Sequence, residues 1–294
     1  MQKKILITIP AYNESRSLGS VLEKIREVMS KGNYNYEIAV IDDGSRDNTA
    51  EIARKLGAKV VSHQRNYGLA EAFRTEMQNA IKMDADIIVH TDADGQYLAS
   101  EIPLLLNEID KGYDLVLGSR FLGKIESMPL IKRLGNMAFS KVLASITGFR
   151  LSDGQTGFRA FTKEVAKLPL RSTHTYTQEQ IIRSAREKMR IKEIPVHFMK
   201  RHGKSKLIKN PFEYAAKAWI NIFRVYRDYE PLKFFGLFGL VFICLGLIFG
   251  LWLLSLYFRF GVVGHYPTIM LTVLLIISGI QICLFGFFAD MHRK

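Results

Sequence analysis

Residues 86–96 read DIIVHTDADGQ. A β-branched apolar run ends at His90, and two carboxylates, Asp92 and Asp94, follow at once. The run is too short for a helix and shows no polar alternation, so it reads as a strand covered on both faces. Four similar runs lie around it: ILITI (5–9), EIAVI (37–41), KVVS (59–62) and DLVLG (114–118). Helical patterns separate them. Ser15–Ser30 places Leu18, Val21, Leu22, Ile25 and Met29 on one stripe, and Asn48–Leu56 and Leu69–Lys82 follow. Strand–helix alternation predicts an α/β fold with a mostly parallel sheet and right-handed crossovers. Such sheets bind ligands beyond the carboxyl ends of their strands. The residues to watch therefore follow each run: Pro10–Glu14, Asp42–Ser45, Gln64–Asn66, Thr91–Asp94 and Ser119–Arg120.

The Asp92–Asp94 pair is suited to a hard divalent cation, Mg²⁺ or Mn²⁺, which takes oxygen ligands and commonly bridges carboxylates to substrate phosphates. Gln96 offers a further oxygen. No glycine-rich dinucleotide fingerprint follows the first strand and no P-loop occurs, which disfavours both of those enzyme classes. The seven histidines show no metal spacing, and His63, His90 and His197 read as packing or strand-edge residues.

Beyond Arg120 the alternation loosens. Pro129–Thr147, Thr177–Met189 and Pro211–Tyr229 are helical in pattern, Gln155–Phe161 is a candidate short strand, and Ile191–Val196 is another strand. Charge also changes. Residues 1–119 carry a net −4, residues 120–230 a net +14 and residues 231–294 a net +3, within a total of +13. An acidic part followed by a basic part fits a cleft that holds a cation and an anion.

The tail decides the compartment. Residues 234–258 and 266–289 carry no formal charge, and each run exceeds the roughly 20 residues that cross a bilayer core. The short connector makes them a hairpin. Lys233, Arg293 and Lys294 flank its open end against a lone Arg259 in the connector, which predicts a cytoplasmic location for residues 1–230 and for the C-terminus. The apolar run before Pro10 is too short for a signal peptide. Pro211–Tyr229 puts Phe212, Ala216, Trp219, Phe223 and Tyr226 on one stripe beside Lys217, Arg224 and Arg227, as a helix lying in the membrane interface would. The expected organisation is a catalytic domain over 1–210, an interfacial helix over 211–230 and a membrane hairpin over 231–294. Gly236, Gly239 and Gly246 offer close helix packing within or between chains, which leaves a homo-oligomer open.

The motifs PAYNE, IDDGSRDNT, QRNYG, TDADGQY, GSRF and QTGFRAF, in this order over residues 4–230, resemble the family 2 glycosyltransferases, and more narrowly the polyprenyl- and dolichyl-phosphate sugar synthases. The resemblance implies a GT-A fold and inverting, metal-dependent transfer of a single sugar from a UDP- or GDP-sugar to a membrane polyprenyl or dolichyl phosphate. It implies that Pro10, Ala11, Tyr12 and Glu14 line the nucleoside pocket and that Asp43 bonds the base. Asp42 supports that loop or caps the turn. Arg65 faces the nucleotide, Asp92 touches ribose or metal, and Asp94 and Gln96 bind the metal. Arg120 lies near the phosphates. Arg201, Gly203, Ser205 and Lys206 match a basic loop that closes on the donor diphosphate.

A phosphate monoester acceptor, with its second pKa near 6, is already largely anionic at neutral pH, so it needs positioning more than deprotonation. Arg120, Lys132 and Arg133 are the candidates for that, with Asn136 and Ser140 further along the same helix. Asp153 is either a base or acceptor-orienting group, or else a turn residue or a partner for Arg159; Glu179 has a similar status. Another lipid acceptor is an alternative. Processive polysaccharide synthesis is disfavoured because Ser184 stands where the Gln-x-x-Arg-Trp motif needs Trp, and two spans leave no room for a channel. No nucleic-acid motif accompanies the basic charge, and the adjoining hairpin points to lipid phosphate.

Overall fold

In the computed structural model the described residues are 2–172, 175–200, 211–262 and 264–292, with the side chains of 211–218 and 221 left aside. The chain divides into two compact units, residues 1–218 and 219–294.

The first unit is built on seven strands: β1 (Ile5–Ala11), β2 (Tyr36–Asp42), β3 (Lys59–Ser62), β4 (Ile87–His90), β5 (Leu115–Ser119), β6 (Arg159–Thr162) and β7 (Ile191–Pro195). Their order in the sheet is β3-β2-β1-β4-β6-β5-β7. β1 pairs in parallel with β2 and β4, β2 with β3, and β5 with β7. β6 alone runs antiparallel, between β4 and β5. Every residue of β1, β4 and β5 is buried, as their unbroken apolar runs require.

Helices cover both faces. α1 (Leu18–Lys31) buries Leu18, Leu22, Ile25 and Met29, the stripe read from sequence. α2 (Thr49–Lys55), α3 (Leu69–Lys82) and α4 (Ile102–Asp110) follow, then α5 (Leu130–Thr147), the short α6 (Lys163–Ala166) and α7 (Tyr176–Arg186). α4 follows a 3-10 turn at Ala99–Glu101 and is an element the sequence reading passed over. Its Ile102, Leu105, Leu106 and Ile109 are buried at helical spacing, so the signal was present.

The strand expected over Gln155–Phe161 begins only at Arg159. Gln155 N donates to Asp153 Oδ1 (3.3 Å) and Phe158 N to Thr156 Oγ1 (3.2 Å). These local side-chain bonds take the backbone out of the ladder. Because β6 runs backwards, this Asp153–Phe158 turn arrives at the same sheet edge as the carboxyl ends of β1, β2, β4 and β5.

α8 (Pro211–Tyr229) spans the division between the units; Trp219 and Phe223 are exposed, whereas Ile222 and Val225 are buried. In the second unit α9 (Pro231–Phe260) and α10 (Tyr266–Met291) are long and apolar enough to cross a membrane, and only 17% of each apolar window is buried. The two helices meet through glycine: a Cβ at Gly239 would lie 2.6 Å from Gly279 O, and one at Gly279 would lie 2.7 Å from Gly239 O. Gly246 approaches Thr272 O in the same way, while Gly236 has open space where its Cβ would be. Cys244 and Cys283 are free thiols.

Candidate active site

Two loops form one wall of the site. β1 ends in PAYNE, where Pro10 and Ala11 are buried and Tyr12 is exposed. Asn13, at φ 55°, donates its N–H to Ser45 Oγ (2.9 Å) and accepts from Arg46 N (2.8 Å). Glu14 N donates to Thr49 Oγ1 (2.9 Å), and Asp43 N donates to Ala11 O (2.9 Å). The loop after β2 is thus laced to the loop after β1. Asp42 accepts from Ser45 N (3.0 Å) and caps the turn. Asp43, 4% exposed, accepts from Tyr67 N (2.9 Å), Gly68 N (2.8 Å) and the His63 ring (2.8 Å). Most of its acceptor capacity is therefore used inside the protein, on the QRNYG loop. Arg65 of that loop is exposed and lies over the Tyr67 ring at 5.2 Å.

The DADGQ loop leaves β4 at the centre of the edge. Asp94 Oδ1 accepts from Gln96 N (3.0 Å), a local turn closed by Gly95 at φ 74°. Gln96 Nε2 donates to Met199 O (3.1 Å), which leaves its amide oxygen as the donor atom for a metal. The Asp92 carboxylate rests against Gly157, where an added Cβ would lie 3.0 Å from Oδ1 and 3.1 Å from Oδ2. Gly157 N donates to Tyr97 Oη (3.3 Å), and burial pushes the Tyr97 hydroxyl up to about 12, so it stays neutral.

Among the described residues no set of three His, Cys, Asp or Glu side chains converges on one point. Two carboxylates and an amide oxygen nevertheless fit a hard cation that takes its remaining ligands from a diphosphate and water. Beside them opens a cavity of about 700 Å³, lined by Glu14, Lys24, Asp47, Asp94, Tyr97 and Lys200 among others.

The basic side is built differently from the sequence expectation. Arg120 donates to Asp153 from its backbone N (3.1 Å), Nε (2.6 Å) and Nη2 (2.8 Å), and the two side chains are 5% and 0% exposed. Arg120 also lies over the Phe198 ring at 5.2 Å. Burial works against its charge, but the bonds to Asp153 and the carboxylate charges of Asp153 and Asp92 hold its pKa above the ordinary guanidinium value. Asp153 thus pairs with Arg120, in place of the Arg159 pairing raised from the sequence. Arg159 is fully buried and donates to Thr177 O, Gln180 Oε1 and Thr156 O. Its burial lowers its pKa to about 10.

The Asp153 loop is held from below. Glu193 accepts from Ser152 N (2.8 Å), Ser152 Oγ (2.9 Å) and Asp153 N (2.9 Å). Desolvation raises the Glu193 pKa in spite of these bonds. On α5, Arg133 is exposed and Lys132 half-buried, whereas Asn136 and Ser140 face inward. Ser140 Oγ accepts from Gly154 N (3.0 Å) and donates to Asn136 O (2.9 Å), tying α5 to the Asp153 loop. Glu179 accepts from Arg171 N, Ser172 N and Arg183, as a structural cap would. Arg201, Gly203, Ser205 and Lys206 lie outside the described residues. Sequence reasoning missed His63 and Glu193, whose partners are distant in the chain and carry no local signature.

Fold and site together define an α/β protein with paired carboxylates, Asp92 and Asp94, at the carboxyl end of its central strand. The family model for glycosyl transferase family 2 matches residues 6–168, and the chain belongs to that family of glycosyltransferases. It is 32% identical to the dolichyl-phosphate hexose transferase of Haloferax volcanii, over 75% of this chain and 93% of that one. It is also 32% identical to the UDP-N-acetylglucosamine–dolichyl-phosphate N-acetylglucosaminyltransferase of Methanococcus voltae, over 66% of this chain and 85% of the relative. The fold is similar to glucosyl-3-phosphoglycerate synthase of Mycobacterium tuberculosis, solved with Mn²⁺, UDP-glucose and phosphoglyceric acid. The TM-score is 0.60 at 20% identity, over 76% of this chain and 79% of that one.

Proposed function

We propose that this glycosyltransferase moves one sugar from a UDP- or GDP-sugar onto the phosphate of a membrane polyprenol or dolichol, with inversion at the anomeric carbon. The observation that carries the reading is the convergence of three features. They are the Asp92–Asp94 pair at the end of β4, the buried Arg120–Asp153 pair beside it, and an apolar hairpin at the end of the same chain. The names of the two relatives support the acceptor class.

In this reading the PAYNE and QRNYG loops hold the nucleoside, with Pro10, Ala11, Tyr12, Glu14, Asp43 and Arg65 around it. The sugar lies toward the cavity beside Asp94, whose volume is in the range of small-molecule sites. Asp92, Asp94 and Gln96 hold Mg²⁺ or Mn²⁺, which when bound supplies positive charge to the departing diphosphate. Arg120 is fixed in plane by Asp153 and Phe198, so its charge is preorganised where negative charge develops and needs no rearrangement at the moment of reaction. The acceptor phosphate arrives already ionised. Lys132 and Arg133 recruit it electrostatically, and its oxygen attacks the anomeric carbon on the face opposite the leaving diphosphate. Asp153 then needs no base role; it orients Arg120. The basic loop at 201–206 stands as a further candidate for closing on the diphosphate.

The hairpin anchors the enzyme in the bilayer. The exposed Trp219 and Phe223 of α8 favour a helix seated in the lipid interface. The charge bias of the tail favours a catalytic unit on the cytoplasmic face. The test is transfer by purified protein in detergent, with polyprenyl phosphate and a panel of radiolabelled UDP- and GDP-sugars, with and without chelator. Label should pass to lipid with one donor and stop in chelator. Label passing to diacylglycerol and not to polyprenyl phosphate would favour the other lipid class.

A further inference from the structure

We propose that His63 is a positioning residue that fixes the nucleotide-facing QRNYG loop through Asp43. This rests on the reading that the loops at 42–45 and 64–68 form the nucleoside wall. His63 closes β3 and has a side chain only 11% exposed. Yet it does not pack as an apolar residue. Its Nδ1 meets Asp43 Oδ1 at 2.8 Å and its Nε2 meets Thr75 Oγ1, on α3, at 2.9 Å. An aspartate acceptor fixes the tautomer with the proton on Nδ1, so Nε2 accepts from the threonine hydroxyl. Its backbone N–H donates to Asp42 O (2.8 Å), and its ring meets Tyr67 edge-on at 5.4 Å.

The geometry makes a staple. Asp43 grips the loop at Tyr67 N and Gly68 N, immediately before α3 starts at Leu69. There the carboxylate also faces the positive end of the α3 dipole. His63 grips Asp43 from the other side and ties it to Thr75, within α3. Gly44 lets the two loops touch. Its φ is 71°, and a Cβ there would lie 2.5 Å from the Arg65 carbonyl carbon. Arg65, Asn66 and Tyr67 are all exposed, so the loop's outward groups are free to meet a ligand while its inner side is held. A nucleoside bound against this wall gains affinity from a loop that is already ordered.

Substitutions at His63 separate the two bonds. Asparagine carries its amide nitrogen near the position of Nδ1 and keeps the donor to Asp43. Glutamine reaches the position of Nε2 and keeps only the Thr75 side. Titration calorimetry with UDP and with GDP on the full-length protein in micelles reads the effect. For the nucleotide that binds, His63→Ala should raise Kd about tenfold, a hydrogen bond to a charged group being only partly transmitted to the ligand. His63→Gln should behave like His63→Ala, and His63→Asn should stay within about threefold of wild type. The KM for polyprenyl phosphate should stay within about twofold throughout, because the staple does not reach α5. Should His63→Ala fail to fold, His63→Asn against His63→Gln decides. If the wild-type chain binds nucleotide and Asn is as weak as Ala, or both substrates weaken equally, the staple is wrong. If the wild-type chain binds neither nucleotide, the underlying nucleotide reading falls and takes this proposal with it.

Discussion

Replacing Asp153 separates an orienting role from a base role. The carboxylate accepts three hydrogen bonds from Arg120, and neither side chain has appreciable contact with solvent. Removing one partner of such a buried pair leaves the other charge uncompensated, at a cost of about 3–5 kcal/mol. In a domain of roughly 200 residues each kcal/mol moves Tm by about 2–4 °C, so Asp153→Ala should lower Tm by about 6–20 °C. Asp153→Asn keeps the shape and one acceptor oxygen, and about 2–3 kcal/mol is the expected cost. The double variant Asp153→Leu with Arg120→Met removes both charges and should recover much of the stability without recovering transfer. Differential scanning calorimetry in detergent, with the pH–rate profile of each active variant, is the assay. If Asp153→Asn keeps the wild-type Tm, loses kcat a thousandfold and loses the acidic limb of the pH profile, Asp153 is a base and the orienting argument is refuted.

Three further outcomes follow from the same geometry. Arg133→Ala should raise the KM for polyprenyl phosphate about ten- to a hundredfold and barely change that for the nucleotide-sugar, as loss of a charge-assisted bond to phosphate predicts; Arg133→Lys should recover only part, because the planar fork is lost. Asp94→Asn can still accept from Gln96 N and so keep the turn. It should cut kcat by about a hundredfold or more with Tm unchanged, and chelator should do the same to wild type. Glu193 has a raised pKa from desolvation, so the folded chain binds its proton more readily than the unfolded chain. Stability from this group therefore falls as pH rises from the ordinary glutamate pKa through the raised one, and Tm measured across that window should lose this slope in Glu193→Gln.

The middle of the sheet was legible because β1, β4 and β5 are buried on both faces and announce themselves as unbroken apolar runs, ILITI and DIIVH above all; the edge strand β3, KVVS, has no buried residue. The acidic loops were legible because each stands immediately after such a run. The orientation of β6 was not. A short strand of four residues carries no sign of direction, and only the Asp153–Phe158 turn, closed by its own side chains, shows how the strand is entered. Arg120 and Asp153 were both singled out, but their pairing was hidden because 33 residues separate them and β6 runs backwards. Asn136 and Ser140 share a helix with Arg133, yet the sequence did not show that they face inward. His63, just past the end of β3, and Glu193, in the middle of the sheet-edge strand β7, are single polar residues, and sequence alone favours reading such a residue as an exposed edge group over a buried link.

The central claim is that the acceptor is a polyprenyl phosphate that receives a single sugar. Intact-mass spectrometry of the lipid product tests it most directly, after incubation of purified protein with polyprenyl phosphate, divalent cation and the donor found in the panel assay. The account predicts one product, heavier than the acceptor by one sugar residue, with the phosphate retained and no further additions at long times. A ladder of masses, or no lipid product while the donor is hydrolysed or its sugar passes to a soluble acceptor, would contradict it.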